Sequence, residues 1–206
     1  GGEPFLRDDI DDLGSHVTET LASELIILTN ATLFSGKKGD GLKNFNREKL
    51  RFQVSLDGAT AEVNDRIRGK GVFERASEGL QFLSALGYQS SLTAAVTADN
   101  LVDLENLPDL AKTLGARSVH LMWLHKRGRI LQHSGAAAFP KSDALLSLVR
   151  RVAVKADALG VTFDNRSSLL SRINGQPGVK YDLGNPCWES LCLYMDGMVY
   201  PSAAMV

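Results

Sequence analysis

The chain has 206 residues, 44% of them hydrophobic and 23% charged, with a formal net charge of -1. That length suits one domain with a substantial core, or one domain plus a short appendage, and the composition is that of a soluble globular protein. The near-neutral charge argues against a nucleic-acid or membrane-surface partner, and no apolar run approaches the roughly 20 residues that span a bilayer. The opening Gly1-Gly2-Glu3-Pro4 has no Met and no secretion-signal pattern. A cytoplasmic protein is therefore expected, with this chain a piece of something longer.

In chain order, Asp8 to Leu21 predicts a helix, Leu25-Ile26-Ile27-Leu28 a strand, and Phe52-Gln53-Val54-Ser55-Leu56 another. A repeated phrase then organises the middle of the chain. Phe73, Ala76, Leu80 and Leu83 share one helical face, Gly87 fits a left-handed helix end, and Ser91 to Val96 reads as a strand. The pattern recurs with Leu104, Leu107, Leu110, Ala111 and Leu114, then Gly115 and a strand from Val119 to Leu124. It recurs again with Leu145, Leu146, Val149, Val152, Ala153 and Ala156, then Gly160 and Val161-Thr162-Phe163. Alternating helices and strands at this spacing predict a parallel sheet with helical crossovers, in an α/β fold with too few strands to close an eight-fold barrel. The strands read as continuous apolar runs, as they do when both faces are covered. After Asn165 the pattern breaks into Ser, Gly, Asn and Pro, which places a module boundary there.

In a parallel α/β barrel, ligands collect at the C-terminal ends of the strands. Those ends carry Thr29 and Asn30, then Ser55 and Asp57, Thr97 and Asn100, and finally His125, Lys126, Arg127 and Arg129. Such a rim suits a polar ligand with carboxylate and ribose groups. The four histidines show no metal-ligand spacing, and His120, inside an apolar strand, reads as a hydrogen-bonded core residue.

Five phrases in order carry a family resemblance. They are Gly1-Gly2-Glu3-Pro4, Leu28 to Leu33, Val54 to Gly58 with Asp65 to Gly69 and Phe73, Val96-Thr97 with Asn100, and Arg127-Gly128-Arg129. Together they resemble the radical S-adenosylmethionine superfamily. That resemblance implies a partial (βα)6-type open barrel over residues 1–165. It also implies reductive cleavage of S-adenosylmethionine to a 5′-deoxyadenosyl radical for hydrogen abstraction. Gly1, Gly2 and Glu3 would receive the cofactor's ammonium, a match of carboxylate to cation. Ser55 and Asp57 would lie near its ribose or methionyl group, and Arg68 would bind the methionyl carboxylate through its planar fork. Asn30 is a further candidate in the same site.

The family's 4Fe–4S cluster is held by three cysteines in a CxxxCxxC loop, which this chain lacks and which is expected upstream. A second resemblance covers residues 166–206. Cys187, Gly197 after nine residues and Ser202 after four more are similar to the start of a SPASM or twitch extension, with Asp196-Gly197 as a hairpin turn. It implies Cys187 as a ligand of a possible auxiliary iron–sulfur cluster, although Ser stands at 202 where the pattern has Cys. The partners implied are a peptide or small-molecule substrate and a reductant such as a flavodoxin or ferredoxin. This chain alone is expected to be inactive. The alternative is a non-catalytic relative acting as a binding module.

Overall fold

The computed structural model describes residues 2–34, 36–124, 139–174 and 191–201. They fall into two compact units, one over residues 2–163 and one from residue 164 onward.

In the first unit, a short helix α1 (Ile10–Ser15) runs on into a wider turn to Thr20, ahead of strand β1 (Leu25–Thr29). Then come α2 (Gly36–Gly41), β2 (Leu50–Ser55), α3 (Ala61–Arg68), α4 (Val72–Ala85) and β3 (Gln89–Val96). The unit finishes with α5 (Leu107–Leu114), β4 (Ser118–Trp123), α6 (Ser142–Leu159) and β5 (Thr162–Phe163). Among the described residues the five strands form one parallel sheet in the order β1-β2-β3-β4-β5. Sequential order with helical crossovers is the architecture of an open, partial α/β barrel, as the alternation predicts. The Leu-Gly phrases end α4, α5 and α6 as expected, with Gly87, Gly115 and Gly160 at φ of 81°, 76° and 68°. Only glycine enters that region without a steric cost.

The two faces of the sheet differ, which corrects the expectation that both are uniformly apolar. One face presents Ile27, Phe52, Val54, Leu92, Ala94, Val96, Val119, Leu121 and Phe163. These share a core with Ala76, Leu80 and Leu83 of α4, Leu107, Ala111 and Leu114 of α5, and Leu148, Val152 and Ala156 of α6. In register on the opposite face, one row runs Leu28, Gln53, Ser91, Ser118 and Thr162, and the next runs Ser55, Thr93 and His120. The two-residue period thus separates a helix-covered apolar face from a largely polar one. Gln53 Nε2 donates to Thr93 Oγ1 at 2.6 Å across strands, and His120 is buried in the same row as Thr93.

In the second unit, α7 (Asp164–Ile173) occupies the beginning of the stretch expected to be irregular after Asn165, and residues 175–190 of that region lie outside the described residues. A hairpin pairs β6 (Cys192–Leu193) with β7 (Val199–Tyr200) antiparallel. Asp196-Gly197 makes its turn: Gly197 has φ 81°, and Met198 N donates to Asp196 Oδ1 at 2.8 Å. Tyr200 donates its hydroxyl to Asp196 Oδ2, a contact that raises the phenol's pKa.

Candidate functional site

A parallel sheet gathers all its strand C-termini on one edge, so the loops leaving β1, β2 and β3 are neighbours. The first corner is built from Glu3. Pro4–Leu6 forms a single tight turn capped by Glu3, and Phe5 is buried within an aromatic cluster, 4.8 Å from Phe34 and 6.3 Å from Phe52 between ring centroids. With Phe5 anchored, the Glu3 carboxylate reaches the exit of β1. Its Oε1 accepts from the Thr29 hydroxyl at 2.5 Å and from Phe5 N at 3.3 Å, and its Oε2 accepts from Asn30 N at 2.7 Å. All three donors are neutral. Among the described residues no cation pairs with this carboxylate, and it is only partly buried.

Asn30 faces its own loop, its Oδ1 accepting from Thr32 N at 2.9 Å and from the Thr32 hydroxyl at 2.7 Å. The next residue, Ala31, has φ 56°, a left-handed conformation that costs a side-chain-bearing residue free energy. Gly79 of α4 lies so close beneath it that a Cβ there would meet Ala31 O at 2.1 Å.

The second corner is the exit of β2. Asp57 is buried, and each of its polar atoms is engaged. Its N–H donates to Asn64 Oδ1 at 3.0 Å, and its carbonyl accepts from Asn100 Nδ2 at 2.9 Å. Its Oδ1 accepts from Ala95 N at 2.8 Å, and its Oδ2 lies 2.7 Å from Arg68 Nε. That last contact is an ion pair without good hydrogen-bond alignment at Nε. The Arg68 side chain remains 27% exposed, so Asp57 holds its inner nitrogen while the two outer ones form an accessible fork. Ser55 is half-buried on the polar face, and its hydroxyl makes no hydrogen bond among the described residues.

Around this corner the loops are tied to one another. Asn100, fully buried, also donates to Ala95 O at 2.8 Å and accepts from Thr97 N at 2.8 Å. Asp103 accepts from Ala59 N at 2.5 Å and from the Thr60 hydroxyl at 3.1 Å, fixing the start of α3. Gly58 allows the close approach, since a Cβ there would lie 2.5 Å from Asn64 N. Asp65 accepts from Phe73 N at 2.9 Å and Gly71 N at 2.5 Å, capping the first turn of α4. Those bonds, the one from Phe73 first, hold its carboxyl below the ordinary carboxylate value.

The structure therefore brings Glu3 and Asn30 together at one strand end, and Ser55, Asp57 and Arg68 at the next. Gly2 is exposed in the segment leading to Glu3. Gly1, Cys187, Ser202 and the strand-end candidates His125, Lys126, Arg127 and Arg129 lie outside the described residues. Reading strand ends alone passes over Asn64 and Asp103, since no short-range pattern marks the loop contacts they make. Among the described residues, no group of three or more His, Cys, Asp or Glu side chains could hold a metal ion.

The chain is 32% identical over 133 residues to the AdoMet-dependent heme synthase of Oleidesulfovibrio alaskensis, covering 64% of this chain and 34% of that protein. It is 31% identical over 160 residues to the PqqA peptide cyclase of Ruegeria pomeroyi, covering 77% of this chain and 41% of that one. The crystal structure of Streptococcus suis SuiB bound to S-adenosylmethionine superposes with a TM-score of 0.71 at 17% identity, over 100% of this chain and 48% of SuiB. The proteins it resembles are radical S-adenosylmethionine enzymes of the SPASM/twitch-containing subgroup, and this chain corresponds to part of them. No family model matches it. The matches span about a third to two fifths of the length of these curated relatives. Within the radical S-adenosylmethionine fold, the Glu3 and Asp57 corners sit on the sheet edge where a barrel binds its ligand.

Proposed function

We propose that this chain is the S-adenosylmethionine-binding part of a longer radical enzyme that modifies a peptide or protein. In this reading residues 1–165 are the partial barrel and residues 166–206 begin an auxiliary-cluster extension. The observation that carries it is the pair of opposite charges on neighbouring strand ends, a carboxylate with no cation among the described residues and a guanidinium whose one contact among them is at Nε. Glu3 is a carboxylate oriented by neutral donors alone, and Arg68 is a guanidinium fork oriented by Asp57. An amino acid's ammonium and carboxylate are the complementary charges. Ser55 offers a free hydroxyl beside them for a ribose or methionyl oxygen.

Bound next to a 4Fe–4S cluster and reduced, S-adenosylmethionine supplies a 5′-deoxyadenosyl radical able to abstract hydrogen. What this chain contributes is placement. Glu3 orients the amine and Arg68 the carboxylate, and the buried ties among Asp57, Asn64 and Asn100 keep Arg68 fixed while the reaction runs. A peptide substrate is favoured by the named activity of the PqqA peptide cyclase, to which this chain is similar. The cluster's cysteines, a reductant such as flavodoxin or ferredoxin, and a role for Cys187 at an auxiliary cluster all belong to the full-length protein.

The test is anaerobic reconstitution of the full-length protein with iron and sulfide, followed by reduction in the presence of S-adenosylmethionine. Cluster absorbance and 5′-deoxyadenosine should appear there and not with residues 1–206 alone. A full-length protein that stays colourless and inert, yet binds peptide, would make the chain a non-catalytic binding module instead.

A further inference from the structure

The aim of Arg68 is set by residues that do not reach the ligand. Arg68 leans on Asp57, whose own position is fixed at its backbone as well as at its carboxylate. Two fully buried asparagines hold that backbone: Asn64 accepts from the Asp57 N–H at 3.0 Å, and Asn100 donates to the Asp57 carbonyl at 2.9 Å. Asn100 does more. The same amide donates to Ala95 O at 2.8 Å, and Ala95 N donates to Asp57 Oδ1 at 2.8 Å. A closed loop of hydrogen bonds therefore runs from Asn100 to Asp57, on to Ala95 and back to Asn100. From it Asp57 Oδ2 makes the 2.7 Å contact to Arg68 Nε. The Asn100 side chain uses three of its four hydrogen-bonding valences here, and none points to solvent, since the residue is 0% exposed.

We propose that Asn100 is a positioning residue for the carboxylate of S-adenosylmethionine, acting through Asp57 on Arg68. The inference rests on the assignment of Arg68 made under Proposed function and adds to it a residue on a different strand exit. Removing the Asn100 amide frees two buried carbonyls at once. The backbone carbonyl of Asp57 then loses its donor, its tie to β3 is reduced to the Ala95 N–H on Oδ1, and the Arg68 fork is less firmly anchored. The amine end of the ligand, held by Glu3 at the exit of β1, is not part of this loop and should be unaffected.

That asymmetry gives the test. Equilibrium binding is measured on the full-length protein with its cluster intact and no reductant added. The two probes are S-adenosylmethionine and its decarboxylated analogue, which keeps the sulfonium, amine and adenosine but lacks the carboxylate. The native protein should prefer S-adenosylmethionine. Asn100→Ala should weaken it about tenfold while changing the analogue by less than about twofold. Combining Asn100→Ala with Arg68→Lys should cost no more than Arg68→Lys alone, because both act on one contact. If Asn100→Ala fails to fold, Asp57→Asn carries the same two-probe comparison one bond nearer to Arg68. Equal weakening of both probes, or additive losses in the double variant, would overturn the proposal and leave Asn100 a structural tie. If Arg68→Lys itself leaves the preference for S-adenosylmethionine intact, the assignment of Arg68 falls, and the role of Asn100 falls with it.

Discussion

Two carboxylates stand at neighbouring strand exits, and the chain treats them in opposite ways. At the end of β1, Glu3 is held by a hydroxyl and two backbone N–H groups, all neutral, so its charge is oriented and left unmatched. At the end of β2, Asp57 is buried and its charge is matched by Arg68. A carboxylate that already has its cation is part of the frame, and one held only by dipoles is ready for a cation from outside. The backbones differ in the same sense. The β2 exit is tied by Asn64, Asn100 and Asp103, whereas the β1 exit contains Ala31 in a left-handed conformation pressed against Gly79.

The contrast predicts that the two isosteric substitutions separate stability from binding. Asp57→Asn puts an amide against Arg68 and should cost about 2 kcal/mol of unfolding free energy, the range for losing a buried charge-assisted contact. Denaturant titration reads it, and a loss below about 0.5 kcal/mol would break the distinction. Glu3→Gln keeps an acceptor for the neutral donors, so stability should change far less. Affinity for S-adenosylmethionine in the full-length protein should nonetheless fall about tenfold, equivalent to about 1.4 kcal/mol. If Glu3→Gln unfolded the protein and left binding unchanged, Glu3 would be frame as well.

A smaller effect sharpens the backbone half of the comparison. Ala31→Gly removes the Cβ that a positive φ disfavours and that sits 3.0 Å from where a Gly79 side chain would begin. The unfolded chain gains freedom with glycine, which offsets part of the gain. A net stabilisation of up to about 1 kcal/mol is expected, read as a higher unfolding midpoint. Destabilisation instead would mean that Ala31 is not strained.

Much of this frame can be read from the chain because it depends on local chemistry. The Leu-Gly phrases mark helix ends since the left-handed cap needs glycine, and the β-branched runs after them mark strands. The polar face could also have been read, because Ser91, Thr93 and Ala95 alternate with Leu92, Ala94 and Val96; taking the run as continuously apolar hid it. The helix at Asp164–Ile173 was hidden for a propensity reason, since Asn165, Ser167 and Ser168 favour turns and caps. The pairing of Asp57 with Arg68 is a different matter. It depends on a helix and a turn folding back on a strand end, and no spacing rule carries that. The same is true of Glu3, whose partners Thr29 and Asn30 are brought to it by the packing of Phe5.

The finest distinction lies within the β2 exit, at Asp65. It hydrogen-bonds Asn64, which in turn holds Asp57, and it caps α4 through Phe73 N and Gly71 N. These bonds favour the ionised form, so the pKa of Asp65 in the folded chain lies below its ordinary value of 3.8. The sign comes from linkage. A group whose folded pKa is depressed contributes its stability in full above the unfolded pKa, and loses it as pH falls through the folded one. Asp65→Asn keeps an acceptor but cannot gain from ionisation. The difference between the two proteins should therefore be constant from neutral pH down to about 5 and should shrink below about pH 4. Unfolding midpoints measured at intervals across that range test it. Curves that stay parallel to the lowest pH would show that Asp65 gains nothing from its charge, and that the α4 cap would work as well with a neutral side chain.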